Sequence, residues 1–311
     1  MDIRPAVQDY LQSIKRLRPL TRDGYKRRLT VFCEWCEANQ VQLEQVKNTV
    51  VDSFVDHLRT THRSHYANKP DLSTHTLAGY VRCILCFLNW CLEEEQYDQV
   101  VKASVVRKIR KPRVVKTIIE TFSKEQMQAL FAACEQEFDK HLRARDRAIL
   151  YVLLDTGIRA NELCTLQIGN VHLDPGDPYI KILGKGQKWR EVGLGVQSRQ
   201  AIQNYLATYR KAATPFETLF KGRYNDLPLT VSGLERIMKR VGKWADIQGV
   251  RCSPHTLRYT YACNYLLNGG DFFKLSLLMG HEDVEVTRRY LRTIQSRQAR
   301  KGKSVLDEMS I

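Results

Sequence analysis

The segment Arg145-Asp146-Arg147-Ala148-Ile149-Leu150-Tyr151-Val152-Leu153-Leu154-Asp155-Thr156-Gly157-Ile158-Arg159-Ala160-Asn161-Glu162-Leu163 holds the longest uninterrupted apolar run of the chain, Ala148 to Leu154. That run is far short of the roughly 18 residues a membrane span needs. It suits a largely buried helix over 145–154 instead. Thr156-Gly157 then breaks the helix, and a cation follows immediately at Arg159. Glu162 stands three residues further on, within reach across one helical turn. The pair has two readings. It is an ordinary ion pair, or the carboxylate orients a guanidinium whose remaining donors grip an anion in a planar fork.

Three further segments concentrate chemistry. Ser253-Pro254-His255-Thr256-Leu257-Arg258 opens a helix, with serine as N-cap and proline at the first helical position. His255 and Arg258 then share a face near an N-terminus whose free N–H groups favour an anion. A surface helix start with an incidental histidine is the plainer alternative. Leu183-Gly184-Lys185-Gly186-Gln187-Lys188 sets a lysine in a glycine turn between two expected strands, 179–182 and 189–192. It lacks the Gly-x4-Gly-Lys-Ser/Thr spacing of a nucleotide-binding loop. Gly280-His281 precedes Tyr290 by nine residues, about two and a half turns, so one straight helix would point them apart. A loop followed by a fresh helix carrying Thr287 and Tyr290 resolves this. His281-Glu282 does not begin a zinc-protease motif, because Glu285 stands where its second histidine belongs. A tyrosine nucleophile with an ordinary pKa of about 10 needs help from nearby cations and a histidine. The competing role, a tyrosine that simply packs in the core, fits Tyr259, Tyr261 and Tyr265 better. Cations of this kind hold a phosphate through in-line displacement, and tyrosine can serve as the covalent nucleophile.

These segments, in this order from about Thr121 onward, resemble the tyrosine recombinase (phage integrase) family, which cuts and rejoins DNA through a 3′-phosphotyrosine bond. The resemblance implies catalytic roles for Arg159, Lys185, His255, Arg258, His281 and Tyr290. Arg159 and Arg258 form the arginine pair, Lys185 is the general acid, with Lys188 as the rival, and Tyr290 is the nucleophile. It implies no cofactor and no metal, since energy is conserved in the phosphotyrosine bond. It also implies double-stranded DNA with specific recombination sites as partner, and a homo-tetramer on that DNA in which two of four protomers cut at a time. Many relatives have histidine where this chain has Tyr259; that position is outside the catalytic six, so no loss of activity is expected. Two rivals stand beside this reading: a type IB topoisomerase-like relaxing enzyme, and a DNA-binding regulator that has lost catalysis. The filled catalytic positions argue against the regulator.

The rest of the chain is consistent with two domains. Lys and Arg number 49 against 34 Asp and Glu, a net charge of +15 that favours a polyanionic partner. Residues 1–106 read as a helical domain with loops near 39–49 and 60–73, resembling the family's core-binding (SAM-like) domain. Residues 107–121 read as a basic linker. There Arg107, Lys108, Arg110, Lys111 and Arg113, continuing to Lys116, are either solvated or touch phosphates, as Lys188 would. Residues 122–311 read as the catalytic domain with a C-terminal tail, opened by a capping box at Ser123-Lys124-Glu125-Gln126. The expected fold is therefore mainly α with a small β-sheet, with helical patterning from Val196 to the end. The start of the chain has no apolar stretch of a secretory leader and no extra arm-binding module, which resembles the simple Xer- or Cre-type recombinases and small integrases of mobile elements. Nine cysteines in apolar stretches suit a cytoplasmic protein with reduced thiols. Cys33-x2-Cys36 and Cys83-x2-Cys86 have zinc-like spacing, yet they sit in apolar helical patterns without knuckle glycines, so buried thiols are the better reading. His57, His62 and His65 lie on a polar stretch and add little. Beyond Gly302, Val305, Leu306, Met309 and Ile311 keep roughly helical spacing, either as a frayed end or as a segment that docks on a neighbouring protomer.

Overall fold

The computed structural model describes residues 1–61, 72–114, 119–184, 187–224, 227–281 and 283–300, with side chains described to 295. Lys185, Lys116, His62, His65 and the tail from Lys301 onward lie outside the described residues. The chain divides into two compact units, Met1–Thr117 and Ile118–Ile311.

The first unit is helical: α1 (Ile3–Ser13), α2 (Pro19–Ala38), α3 (Asn48–Thr61), α4 (Thr74–Cys91) and the short α5 (Ala103–Val106). The sequence pattern runs on from Arg4, but the chain breaks between α1 and α2, because Pro19 is tolerated only in the first turn of a helix. Ser73 caps α4 by accepting the Thr76 N–H at 3.2 Å. Leu29, Phe32, Cys33 and Cys36 of α2 bury against α3 and α4 side chains such as Phe54, Val81 and Phe87. Burial pushes the Cys33 and Cys36 thiols up to about 12, so they stay protonated and act as small apolar residues. Cys83 is raised by burial as well. Val106 and Ile109 sink into the same core, and the Arg110 N–H donates to Asn48 Oδ1 at 3.0 Å. The basic run therefore starts packed on this unit. Arg107, Lys108, Arg110, Lys111 and Arg113 project from it as exposed residues.

The second unit surrounds α7 (Lys140–Thr156), the helix read from the apolar run and here extended back to its Asp139 cap. Before it comes α6 (Lys124–Ala133), which opens on the reciprocal capping box of Ser123 and Gln126. After it come α8 (Ala160–Thr165), β1 (Val171–His172), β2 (Tyr179–Leu183), β3 (Trp189–Gly193), α9 (Val196–Tyr209) and α10 (Val231–Trp244). The strands form an antiparallel sheet in the order β1-β2-β3. Helical patterning does not continue unbroken after Val196. In the described residues between α9 and α10 the chain is extended or turned, with isolated bridges Gln167↔Thr218 and Lys221↔Pro228, and Pro215 and Pro228 oppose a continuous helix there. A buried ionic cluster ties α7 to α10: Arg145 and Asp146 are each 1% exposed, and Arg240 bonds both Asp146 and Glu137. Desolvation of the buried charges offsets much of their mutual attraction.

The last described helices of this unit are α11 (Pro254–Leu267), α12 (Phe272–Met279) and α13 (Val284–Arg300). These three helices build a small core of their own from Tyr259, Ala262, Cys263, Leu275, Met279, Tyr290 and Ile294. Among the described residues, no helix is long and apolar enough to cross a membrane.

Candidate active site

Helix ends assemble the site. Asp155-Thr156-Gly157 terminates α7 with Gly157 in the left-handed conformation, φ +60°. A Cβ there would lie 2.2 Å from the Tyr261 ring, so glycine is required on both counts. Arg159 then caps α8: its backbone N–H donates to Glu162 Oε2 at 2.8 Å, and its Nη1 donates to Glu162 Oε1 at 3.0 Å. The ion pair of Arg159 and Glu162 is present, and Arg159 Nη2 also donates to the Gly280 carbonyl at 2.8 Å. A guanidinium has more donors than these bonds consume.

Ser253 caps α11 by accepting the Thr256 N–H at 3.2 Å, and Pro254 occupies the first turn, as their order in the chain implies. Arg258 is thereby carried into the interior, where it is 5% exposed. It donates from Nη1 to the Gly157 carbonyl at 2.6 Å and from Nη2 to the Met279 carbonyl at 2.7 Å. Burial, reinforced by the charges of Arg159 and Arg190, lowers its pKa to about 10, against the pull of Tyr290 and Glu162. It remains a cation at neutral pH.

His281 follows Gly280, the left-handed cap of α12. Its Nε2 lies 3.0 Å from Arg258 Nη2 and its Nδ1 lies 2.8 Å from Thr287 Oγ1. Arg258 can only donate, so Nε2 must accept, and the proton sits on Nδ1, which donates to Thr287. Burial and then the charges of Arg258, Arg159, Arg190 and Arg289 hold its pKa near about 4. His255 is an exposed residue that lines the same cavity, yet partial loss of hydration and then Arg258, Arg251 and Arg289 lower its pKa too.

A fresh helix, α13, does carry Thr287 and Tyr290. Tyr290 is 4% exposed. Its ring meets Tyr259 edge-on at 4.6 Å and lies parallel to the His281 ring at 6.1 Å. Burial raises the phenol pKa. Arg258 opposes this by its charge and a hydrogen bond to the phenol, while Tyr259 adds to the rise. The expected cations are in place but burial outweighs them in the free protein, and both His281 nitrogens are engaged elsewhere. Tyr259 itself donates its hydroxyl to the Arg289 carbonyl at 2.9 Å and lies 3.1 Å from Thr293 Oγ1. The residue that departs from the family pattern thus braces the helix that carries Tyr290.

Arg159, His255, Arg258, His281 and Tyr290 line a single cavity of about 500 Å³, joined by Asp283 and Arg289. The arrangement suits an anion of tetrahedral size flanked by a tyrosine hydroxyl. Lys188 is exposed on the hairpin and is not among the cavity's lining residues, and the basic run 107–113 belongs to the other unit. Sequence reasoning missed Arg190. It sits on β3 with the same inward parity as buried Val192 and opposite Ile182, a charged residue on an apolar strand face. That parity was the available signal. The backbone carbonyls of Gly157, Met279 and Gly280, which hold the two arginines, leave no mark in side-chain identity.

The chain belongs to the phage integrase family, whose profile matches residues 120–297, while the phage integrase N-terminal SAM-like domain matches residues 8–69. It is a tyrosine site-specific recombinase. Tyrosine recombinase XerD of Pseudomonas aeruginosa is 28% identical over 299 residues, covering 94% of each chain. Tyrosine recombinase XerC of Staphylococcus haemolyticus is 33% identical over 237 residues, covering 76% of each. Among solved structures, XerH site-specific recombinase bound to palindromic difH substrate in a post-cleavage complex superposes with a TM-score of 0.74 at 19% identity, covering 94% of this chain and 82% of that one.

Proposed function

We propose that the cavity cleaves one strand of duplex DNA at a specific recombination site and conserves the bond as a 3′-phosphotyrosine. Tyr290 Oη attacks the phosphorus in line, the P–O5′ bond breaks, and the 5′-hydroxyl leaves after protonation. Arg159 and Arg258 balance the charge that spreads over the non-bridging oxygens, and His281 adds a hydrogen bond to them. His255 assists proton transfer by accepting the phenol proton that Tyr290 gives up, and Lys185 supplies the proton to the leaving oxygen. One phosphodiester is exchanged for another of similar energy, so the step needs no nucleotide hydrolysis. Entry of a phosphate gives Arg258 an anionic partner, while Tyr290 shifts toward the phosphorus. The phosphate's negative charge also makes proton uptake by His281 easier, since the charges that depress it are then neutralised.

The observation that carries this reading is the convergence of Arg159, His255, Arg258, His281 and Tyr290 on one cavity. Further parts of the reading are a tetramer on paired sites, a cytoplasmic location, and phosphate contacts from Arg107, Lys108, Arg110, Lys111, Arg113 and Lys188. A Tyr290→Phe protein separates chemistry from binding. It should bind a DNA half-site as the parent does and form no covalent adduct; residual adduct at the parental rate would refute the assignment.

A further inference from the structure

We propose that Arg190 is a positioning residue of the cleavage site: it holds the Glu162 carboxylate against Arg159 and ties both to the turn that carries His281. Arg190 donates from Nη1 to Glu162 Oε1 at 2.9 Å and from Nη2 to Glu162 Oε2 at 2.7 Å, a two-pronged fork. Its Nε donates to the Leu278 carbonyl at 2.9 Å, two residues before Gly280. The guanidinium also packs over Gly280, where a Cβ would lie 3.0 Å from Nη1, and Gly280 has φ +61°. A single side chain thus meets the hairpin, the α8 carboxylate and the end of α12.

Glu162 is the hub. Each of its oxygens accepts from Arg190 and from Arg159, through the Arg159 side chain at Oε1 and its backbone N–H at Oε2. Burial alone would push this carboxyl up, but the Arg190 hydrogen bonds, the Arg159 N–H and the two guanidinium charges bring it below its ordinary value. It is therefore an anion with its orientation set by four donors. Arg190 has a side chain only 13% exposed and is not among the residues lining the cavity, so it acts on the phosphate through its neighbours. Charge alone does not account for the contact, since a point cation could neutralise Glu162. A planar fork that meets both oxygens while reaching Leu278 is a guanidinium property that lysine lacks.

This proposal rests on the reading of Arg159 as a phosphate ligand, and the test separates the two. Arg190→Lys and Arg159→Ala are compared with the parent for half-site binding. Single-turnover cleavage is then measured on nicked substrates carrying either a phosphate or a neutral methylphosphonate at the scissile position. Arg190→Lys should bind DNA as the parent does and cleave the phosphate about a hundredfold more slowly, the scale of an ångström of misplacement. Its deficit should shrink at least about tenfold on the methylphosphonate, which carries less charge for Arg159 to balance. Arg159→Ala should show the same pattern. If Arg159→Ala shows it while Arg190→Lys cleaves at the parental rate, or loses equally on both substrates, Arg190 is merely structural and the proposal is overturned with Arg159 intact. If Arg159→Ala also loses equally on both, the reading of Arg159 falls and this proposal with it. Should Arg190→Lys fail to fold, the double variant Arg190→Gln/Glu162→Gln removes the buried charge together with its partner and gives the same readout.

Discussion

At the scale of single residues, the site is a set of cations restrained by neutral carbonyls. Gly157, Met279 and Gly280 lend their oxygens to Arg258 and Arg159, so both guanidinia are held in a fixed orientation. His281 loses basicity through its burial and then through these guanidinium charges. Its pKa falls from 6.5 to about 4, so the unfolded chain takes up its proton first as pH drops. Stability contributed by neutral His281 is present above pH 6.5 and is lost as pH falls through the interval down to about 4; His255 is shifted in the same direction. Urea unfolding midpoints should accordingly fall between pH 7 and pH 5, and His281→Gln should flatten that fall; an unchanged slope would count against the assigned environment. Tyr259 makes a second test. Tyr259→Phe removes the hydroxyl that bonds Arg289 and Thr293, at a cost of about 1 kcal/mol in stability. Cleavage should slow while half-site binding stays constant. Equal cleavage rates would make the hydroxyl a passive contact.

At the scale of elements, legibility follows whether the cause is local. The Ser123/Gln126 capping box, the Ser253-Pro254 helix start and the hairpin strands rest on bonds between residues near in sequence, and each is readable there. The left-handed end of α7 is equally local, but its second reason, the Tyr261 ring over Gly157, spans more than a hundred residues. Gly157→Ala should therefore cost more than the 1–2 kcal/mol typical of a left-handed alanine, roughly, because the ring must also move. Thermal unfolding measures this; a loss under about 1 kcal/mol would mean the ring yields freely. Arg159 and Arg258 are readable because each stands in a short segment that resembles a motif of the family. Arg190 is hidden in a strand whose alternation is legible but whose inward charge looks like any other surface cation. The non-helical stretch between α9 and α10 escapes the sequence because apolar spacing there mimics a helix while the prolines forbid one.

At the scale of the whole molecule, a net charge of +15 belongs to a protein built to meet a polyanion. Arg107, Lys108, Arg110 and Lys111 are exposed where the chain leaves the N-terminal unit. Replacing these four with glutamine should weaken binding on every DNA sequence alike and flatten the fall of log K with log salt, by about 0.9 for each phosphate no longer neutralised. An unchanged slope would leave them as solvated charges. The central claim is that one tyrosine in the cavity becomes covalently joined to DNA. Its most direct measurement is peptide mapping of the adduct trapped on a substrate nicked beside the cleavage point, where the short fragment bearing the free 5′-hydroxyl diffuses away and religation cannot follow. The account predicts a 3′-phosphoryl adduct on the peptide containing Tyr290 and on no other. An adduct on Tyr259, Tyr261 or Tyr265 would contradict it.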